Sequence, residues 1–180
     1  MIELKADAAA LRRIADQFGA SEQDLRKAYS RALNKTSRAL RTQARKDLRQ
    51  GLKLRAAAVL NARLQIKRIK ASKRGLGGAM LWAGTNDMAA TAFKGRPRQG
   101  ATGASVGDKS FKGAFVGTGQ GSGAALVFRR RGKDRLPIYA ETAPIVDDAD
   151  PILEDVFNRA SEIFFANFRR EVRAATIYNV

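Results

Sequence analysis

The sequence predicts an α+β fold, on three observations. Residues 22–49 repeat apolar side chains every three or four positions on a strongly basic background, as one long amphipathic helix would. Between residues 76 and 123 lie 12 of the 16 glycines, mixed with Ser, Thr, Ala and short strand-forming runs. From Asp150 to about Ala175 a helical stripe returns. The expected order is long basic N-terminal helices, a small antiparallel β-sheet with a flexible Gly-rich loop, and a C-terminal amphipathic helix. One domain of 180 residues is expected, with a basic helical region (1–75), a Gly-rich sheet and loops (76–146) and the C-terminal helix (147–176).

The first helix is read from Ala10, Leu11, Ile14, Ala15 and Phe18 on one stripe, ended by Gly19. Ser21 and Asp24 have the capping-box spacing that opens a second helix. On it, Leu25, Tyr29, Leu33, Thr36, Leu40, Ala44 and Leu48 form the apolar face, while Arg26, Lys27, Arg31, Lys35, Arg38, Arg41, Arg45 and Arg49 surround it. Such a helix is roughly 40 Å long at ~1.5 Å per residue, so part of it is expected to project beyond the compact body. Gly51 is read as its break, with a further helical pattern over Leu54 to Leu64. The run from Gln65 to Ala71 fits either a helix end or a strand.

Ala79 to Trp82 and Met88 to Phe93 read as short strands, and Trp82 as a core residue rather than a base-stacking platform. Gly95 to Asp108 carries little apolar surface and is expected to be a long flexible loop. Phe111 to Val116, Ala124 to Phe128 and Leu136 to Ala140 are expected to form an antiparallel meander, Pro137 and Pro144 keeping the third strand at an edge. Asp150 and Pro151 read as cap and first turn of the last helix, whose stripe is Ile152, Val156, Phe157, Ala160, Phe164, Phe168 and Val172. Residues 178–180 are either an ordered tail or carry no structure.

Charge dominates the composition. Residues 25–75 hold 17 of the 34 lysines and arginines and a single acid, Asp47, for a net +16 within a chain of net +17. Without acids four residues away, like charges on one helix face repel by a few tenths of a kcal/mol per pair, roughly, so a polyanion or an acidic protein neighbour is expected to compensate. The plainer reading is a solvated face. A second basic knot, Arg129, Arg130, Arg131, Lys133 and Arg135, sits at a hairpin tip, where a solvated turn and phosphate contacts that do not read sequence, suited by its lack of aromatics, account for it equally well. The candidate DNA or partner contacts are Arg31, Lys35, Arg38, Arg41, Arg45 and Arg49, with Arg129, Arg130, Arg131 and Lys133 on the hairpin.

Cysteine and histidine are both absent, which removes disulfides, zinc–thiolate sites, thiol nucleophiles and the usual catalytic triads. No enzyme and no cofactor are expected. Gly119, Gly121 and Ala124 match a dinucleotide glycine pattern loosely, but Ala125 to Arg130 reads as a short strand and not as the helix such a loop must open, so a hairpin turn is the better account. Asp147, Asp148 and Asp150 are explained by helix capping rather than by a metal. Residues 1–10 carry acids and no apolar run, and no segment approaches a ~20-residue membrane span, so no membrane association is expected.

The strand Gly113-Ala114-Phe115-Val116, the segment from Gly132 to Ile138, and Ala143-Pro144-Ile145-Val146 leading into an amphipathic helix resemble the minor tail protein Z family of long-tailed bacteriophages. The segment Arg55 to Leu64, with Asn61, extends the resemblance towards the basic helices. Ala143 in place of glycine, and the insert from Gly95 to Asp108, depart from the family's pattern. The resemblance implies a non-enzymatic tail-completion protein at the head-proximal end of the tail, serving head-to-tail joining and DNA passage. It implies tail terminator, tail tube and connector proteins as partners, a six-fold ring of copies, and nonspecific contact with phage DNA. The site of action would be the virion tail, after synthesis in the bacterial cytoplasm. The rival reading is a free nucleic-acid-binding protein of ribosomal or nucleoid type.

Overall fold

The computed structural model describes residues 2–4, 8–70, 76–119 and 123–177; expectations for residues 5–7, 71–75, 120–122 and 178–180 lie outside them. The chain divides into two compact units, one from residues 1–45, 61–84 and 153–180, the other from 46–60 and 85–152.

Helix α1 (Ala8–Gln17) ends as its sequence predicts. The Ala20 N–H donates to the Ala15 carbonyl at 3.0 Å and the Gly19 N–H to that of Asp16 at 3.1 Å, with Gly19 left-handed at φ 61°. Helix α2 (Glu22–Gly51) then opens with the expected box: the Asp24 N–H donates to Ser21 Oγ at 3.2 Å and the Ser21 N–H to Asp24 Oδ2 at 3.3 Å. Leu25, Tyr29, Leu33, Thr36, Leu40, Ala44 and Leu48 are all buried. The apolar face is thus covered, from Leu25 to Ala44 in the first unit and at Leu48 in the second.

Gly51 does not break α2. The stop comes two residues later, where Lys53 adopts φ 51°, the Leu54 N–H donates to the Arg49 carbonyl at 2.9 Å and the Lys53 N–H to that of Gln50 at 3.1 Å. A Cβ at Gly51 would lie 2.3 Å from Ile152 Cδ1, the end of a flexible side chain that can turn aside. The helix expected over Leu54 to Leu64 is also absent. Leu54 bridges to Phe93, Ala57–Leu60 makes a short 3-10 turn, and Leu64 opens a strand. Alanine propensity is weak against those backbone pairings.

In the first unit an antiparallel sheet has the order β1 (Ile2–Leu4), β3 (Gly78–Ala83), β2 (Leu64–Ile69), with β2 and β3 in register from Leu64 opposite Ala83 to Ile69 opposite Gly78. The run after Leu64 is therefore a strand. Trp82 on β3 is half-buried. The predicted single C-terminal helix is two, α3 (Val146–Asn158) and α4 (Ala160–Ile177), interrupted at Arg159. Helix α3 starts a turn before Asp150, with the Ala149 N–H on the Ile145 carbonyl at 2.8 Å, so Asp150 is not the cap and Pro151 lies inside. The ring costs one helical bond to the Asp147 carbonyl, on an exposed residue that water can reach.

Phe164 and Phe168 of α4 are at the centre of this unit's core with Leu11, Ile14, Leu25, Tyr29, Ala32, Ala79 and Val172. Phe164 stacks on Phe168 at 6.0 Å and meets Tyr29 edge-on at 5.6 Å, geometries worth about 0.5–1.5 kcal/mol each beyond area burial. Of the predicted stripe, Phe164 and Phe168 are thus core residues, while Phe157 is half-buried.

The second unit carries three small antiparallel sheets. β4 (Met88–Ala89), the start of the run expected to be a strand to Phe93, gives way to a 3-10 turn at Ala90–Ala92 and pairs with β11 (Thr142–Ala143). β5 (Pro97–Gln99), β6 (Gly103–Val106) and β7 (Lys109–Lys112) form a meander, so the segment expected to be a long loop contains two strands. Ala104, Val106 and Phe111 supply its buried side, and the turn fits because Gly107, at φ 56°, lies where a Cβ would be 2.2 Å from the Lys94 carbonyl oxygen. β8 (Phe115–Thr118), β9 (Ala125–Arg130) and β10 (Ile138–Ala140) form the predicted meander, with β10 at an edge. The expected strand Phe111 to Val116 is split between two sheets at Gly113 and Ala114.

Candidate functional site

The predicted cations fall into two groups. Lys35, Arg41 and Arg129 are bound internally. Lys35 Nζ pairs with Oε1 of Glu171, which is 6% exposed on α4, and beside it Asn167 Nδ2 donates to the buried Thr36 hydroxyl at 3.0 Å. Arg41 donates from Nε to the Leu64 carbonyl at 2.9 Å, holding β2 along α2. Arg129 grips Glu141 with two parallel bonds of 2.7 and 2.8 Å, and these hold its charge still more firmly.

Arg38, Arg49, Arg131 and Lys133 are exposed and have no ion pair among the described residues. Arg31 is exposed and Arg45 half-buried on α2. Arg130 lies over the Phe115 ring at 5.3 Å, a cation–π contact that keeps the guanidinium at the sheet surface. The turn between β9 and β10 is exposed throughout, and its cations stand beside bare apolar groups, Leu136 at 67% and Tyr139 at 49% exposure. That mixture suits a protein neighbour as well as a phosphate backbone.

Each unit has a concavity beside these surfaces. In the second unit a pocket of about 330 Å³ is lined by Phe93, Val106, Lys53, Asp108, Lys109 and Asp148. Lys53 pairs with Asp108 and Lys109 with Asp148 at 3.0 Å, so both of its aspartates are already paired, and Lys94 is its third lysine. In the first unit a groove of about 460 Å³ runs between α2 and the end of β2, and among the described residues its lining contains Arg26, Arg68 and Lys70 and no acid. Sequence reading did not single out this groove. The available signal was the absence of any acid from residues 61–84 beside six lysines and arginines.

Among the described residues no group of three acids is arranged to hold a metal, and no helix is long and apolar enough to cross a membrane. A family model, the prophage minor tail protein Z (GPZ) family, matches residues 7–175. Neither a curated protein nor a solved structure matches the chain.

Proposed function

Since the chain belongs to the prophage minor tail protein Z family, and is thereby a structural component of a phage tail working among other tail proteins, we propose that it completes the tail at its head-proximal end. There it makes the tail competent to join a filled head and let DNA pass. Its neighbours in this reading are the tail terminator, the tail tube and the connector, and it works without catalysis as a repeated subunit of a ring, six-fold like the tail. The observation that carries the reading is the unbalanced charge of residues 25–75, 17 cations against one acid, with Arg38 and Arg49 exposed on α2 and Arg131 and Lys133 on the β9–β10 turn. A subunit repeated around a DNA path multiplies that charge, and contact with phosphates in this manner needs no base recognition.

The test is in vitro joining. Tails assembled without this protein are mixed with filled heads, with and without the purified chain. Joined, infectious particles that form only on its addition support the reading. Equal yields without it overturn the head-proximal role.

A further inference from the structure

We propose that the groove between α2 and β2 is the docking site for a second copy of this chain, which inserts the N-terminal turn of its α3. The inference rests on the reading of the protein as a repeated subunit, and it names the surfaces through which copies meet.

The groove mixes cations with apolar side chains. Arg26, Arg68 and Lys70 line it together with Leu33, Ile69 and Leu76, and Ile69 is 40% exposed. Arg26 shares its charge with Glu22 at 2.9 Å, but Arg68 and Lys70 have no ion pair among the described residues. A phosphate backbone would satisfy the cations and leave the apolar lining wet. An acidic segment with one apolar side chain satisfies both.

The chain carries such a segment. Residues 144–152 hold Asp147, Asp148 and Asp150 and no lysine or arginine. Asp148 is taken by Lys109, whereas Asp147 and Asp150, three apart and so on the same side of α3, are exposed with no ion pair among the described residues. Val146, 40% exposed, opens the same turn. Two carboxylates beside an exposed valine complement two unpaired cations beside an exposed isoleucine. Because the two surfaces differ, the contact is heterologous, and repetition builds a ring or an open helix rather than an isolated pair.

The experiment is a charge exchange on the purified full chain, followed by sedimentation. Arg68→Glu with Lys70→Glu, and separately Asp147→Lys with Asp150→Lys, should each weaken self-association at least about tenfold, and an equimolar mixture of the two variants should recover it. Circular dichroism checks that both remain folded. A second measurement stands apart from charge: the chain has no cysteine, so Ile69→Cys and Val146→Cys proteins mixed under oxidation should yield a disulfide-linked dimer that neither gives alone. Association unmoved by either reversal, or no cross-link in the mixture, overturns the proposal. So does loss of DNA binding in the Arg68→Glu, Lys70→Glu variant with self-association unchanged, which would make the groove a phosphate site. Adding each variant to tails separates the two readings: wild-type self-association without incorporation fails the tail role alone, and incorporation without self-association fails the groove contact alone.

Discussion

Arg41 Nε donates to the Leu64 carbonyl at 2.9 Å, so a cation on the polar face of α2 serves the unpaired side of an edge strand. Arg41→Ala should therefore cost about 1–2 kcal/mol, the loss of a charge-assisted bond to backbone. Arg38→Ala, three residues away and exposed, should stay within about 0.5 kcal/mol. Urea unfolding of both variants checks the contrast; equal midpoints would make the Arg41 bond energetically idle.

Lys35 performs a similar internal task for Glu171, whose side chain is nearly enclosed. Lys35→Met leaves that carboxylate unpaired and should destabilise by about 1–3 kcal/mol. Adding Glu171→Met to it should recover part of the loss, since removing both partners leaves no uncompensated charge. A double-mutant cycle by denaturant unfolding measures this.

Tyr29 is buried, donates to the Gly77 carbonyl at 3.1 Å, and its phenol is held above the ordinary tyrosine range by desolvation. A raised value in the fold means that stability is full below the unfolded tyrosine's pKa and falls as pH rises through and above it. Tyr29→Phe should cost about 0.5–1.5 kcal/mol at neutral pH and make the alkaline loss shallower. Thermal melts across alkaline pH read both effects.

The Lys53–Asp108 pair shifts both partners, Lys53 upward and Asp108 downward, each chiefly through their mutual hydrogen bond. The raised lysine contributes at pH below its unfolded value and loses that contribution as pH rises through its folded one. The depressed aspartate contributes above its unfolded value and loses it as pH falls. The pair's stabilisation is thus expected from above the ordinary carboxylate range to below the ordinary lysine range. Lys53→Gly removes it but relieves a left-handed non-glycine residue, a relief of about 1 kcal/mol. At the acid and alkaline extremes, where the pair no longer acts, the variant should melt higher than the parent.

Much of this fold was legible from residue spacing. The α2 stripe, the Ser21–Asp24 box, Gly19 as a helix end and the β8–β9–β10 meander obey local rules that tertiary packing did not override. The illegible parts depended on neighbours distant in sequence. Lys53 ends α2 through its backbone conformation, which glycine statistics do not anticipate, and Leu54 is held by a bridge to Phe93, about forty residues on. The Gly95–Asp108 segment looked too polar to order, yet Ala104 and Val106 alternate inward against a strand pair. At the candidate surfaces, sequence identified the cations but not their occupations. Glu171, between Phe168 and Val172 on a buried stripe, was the available sign that some basic residue must pair with it.

The charge itself is best tested away from Arg41 and Lys35. Arg38→Glu with Arg49→Glu should leave the melting temperature within a few degrees, roughly, because both side chains are exposed. The same variant should fail to restore infectivity to a phage lacking the wild-type protein. Normal plaque yields would reduce the basic face to a matter of solubility.

The most direct measurement is quantitative mass spectrometry of nuclease-treated, gradient-purified particles, with separated tails and heads run alongside. A tail-completion subunit predicts a small fixed copy number per particle, recovered with the tails. Absence from particles, with abundance in the nucleic-acid fraction of the lysate, would contradict the account and favour a free nucleic-acid-binding protein.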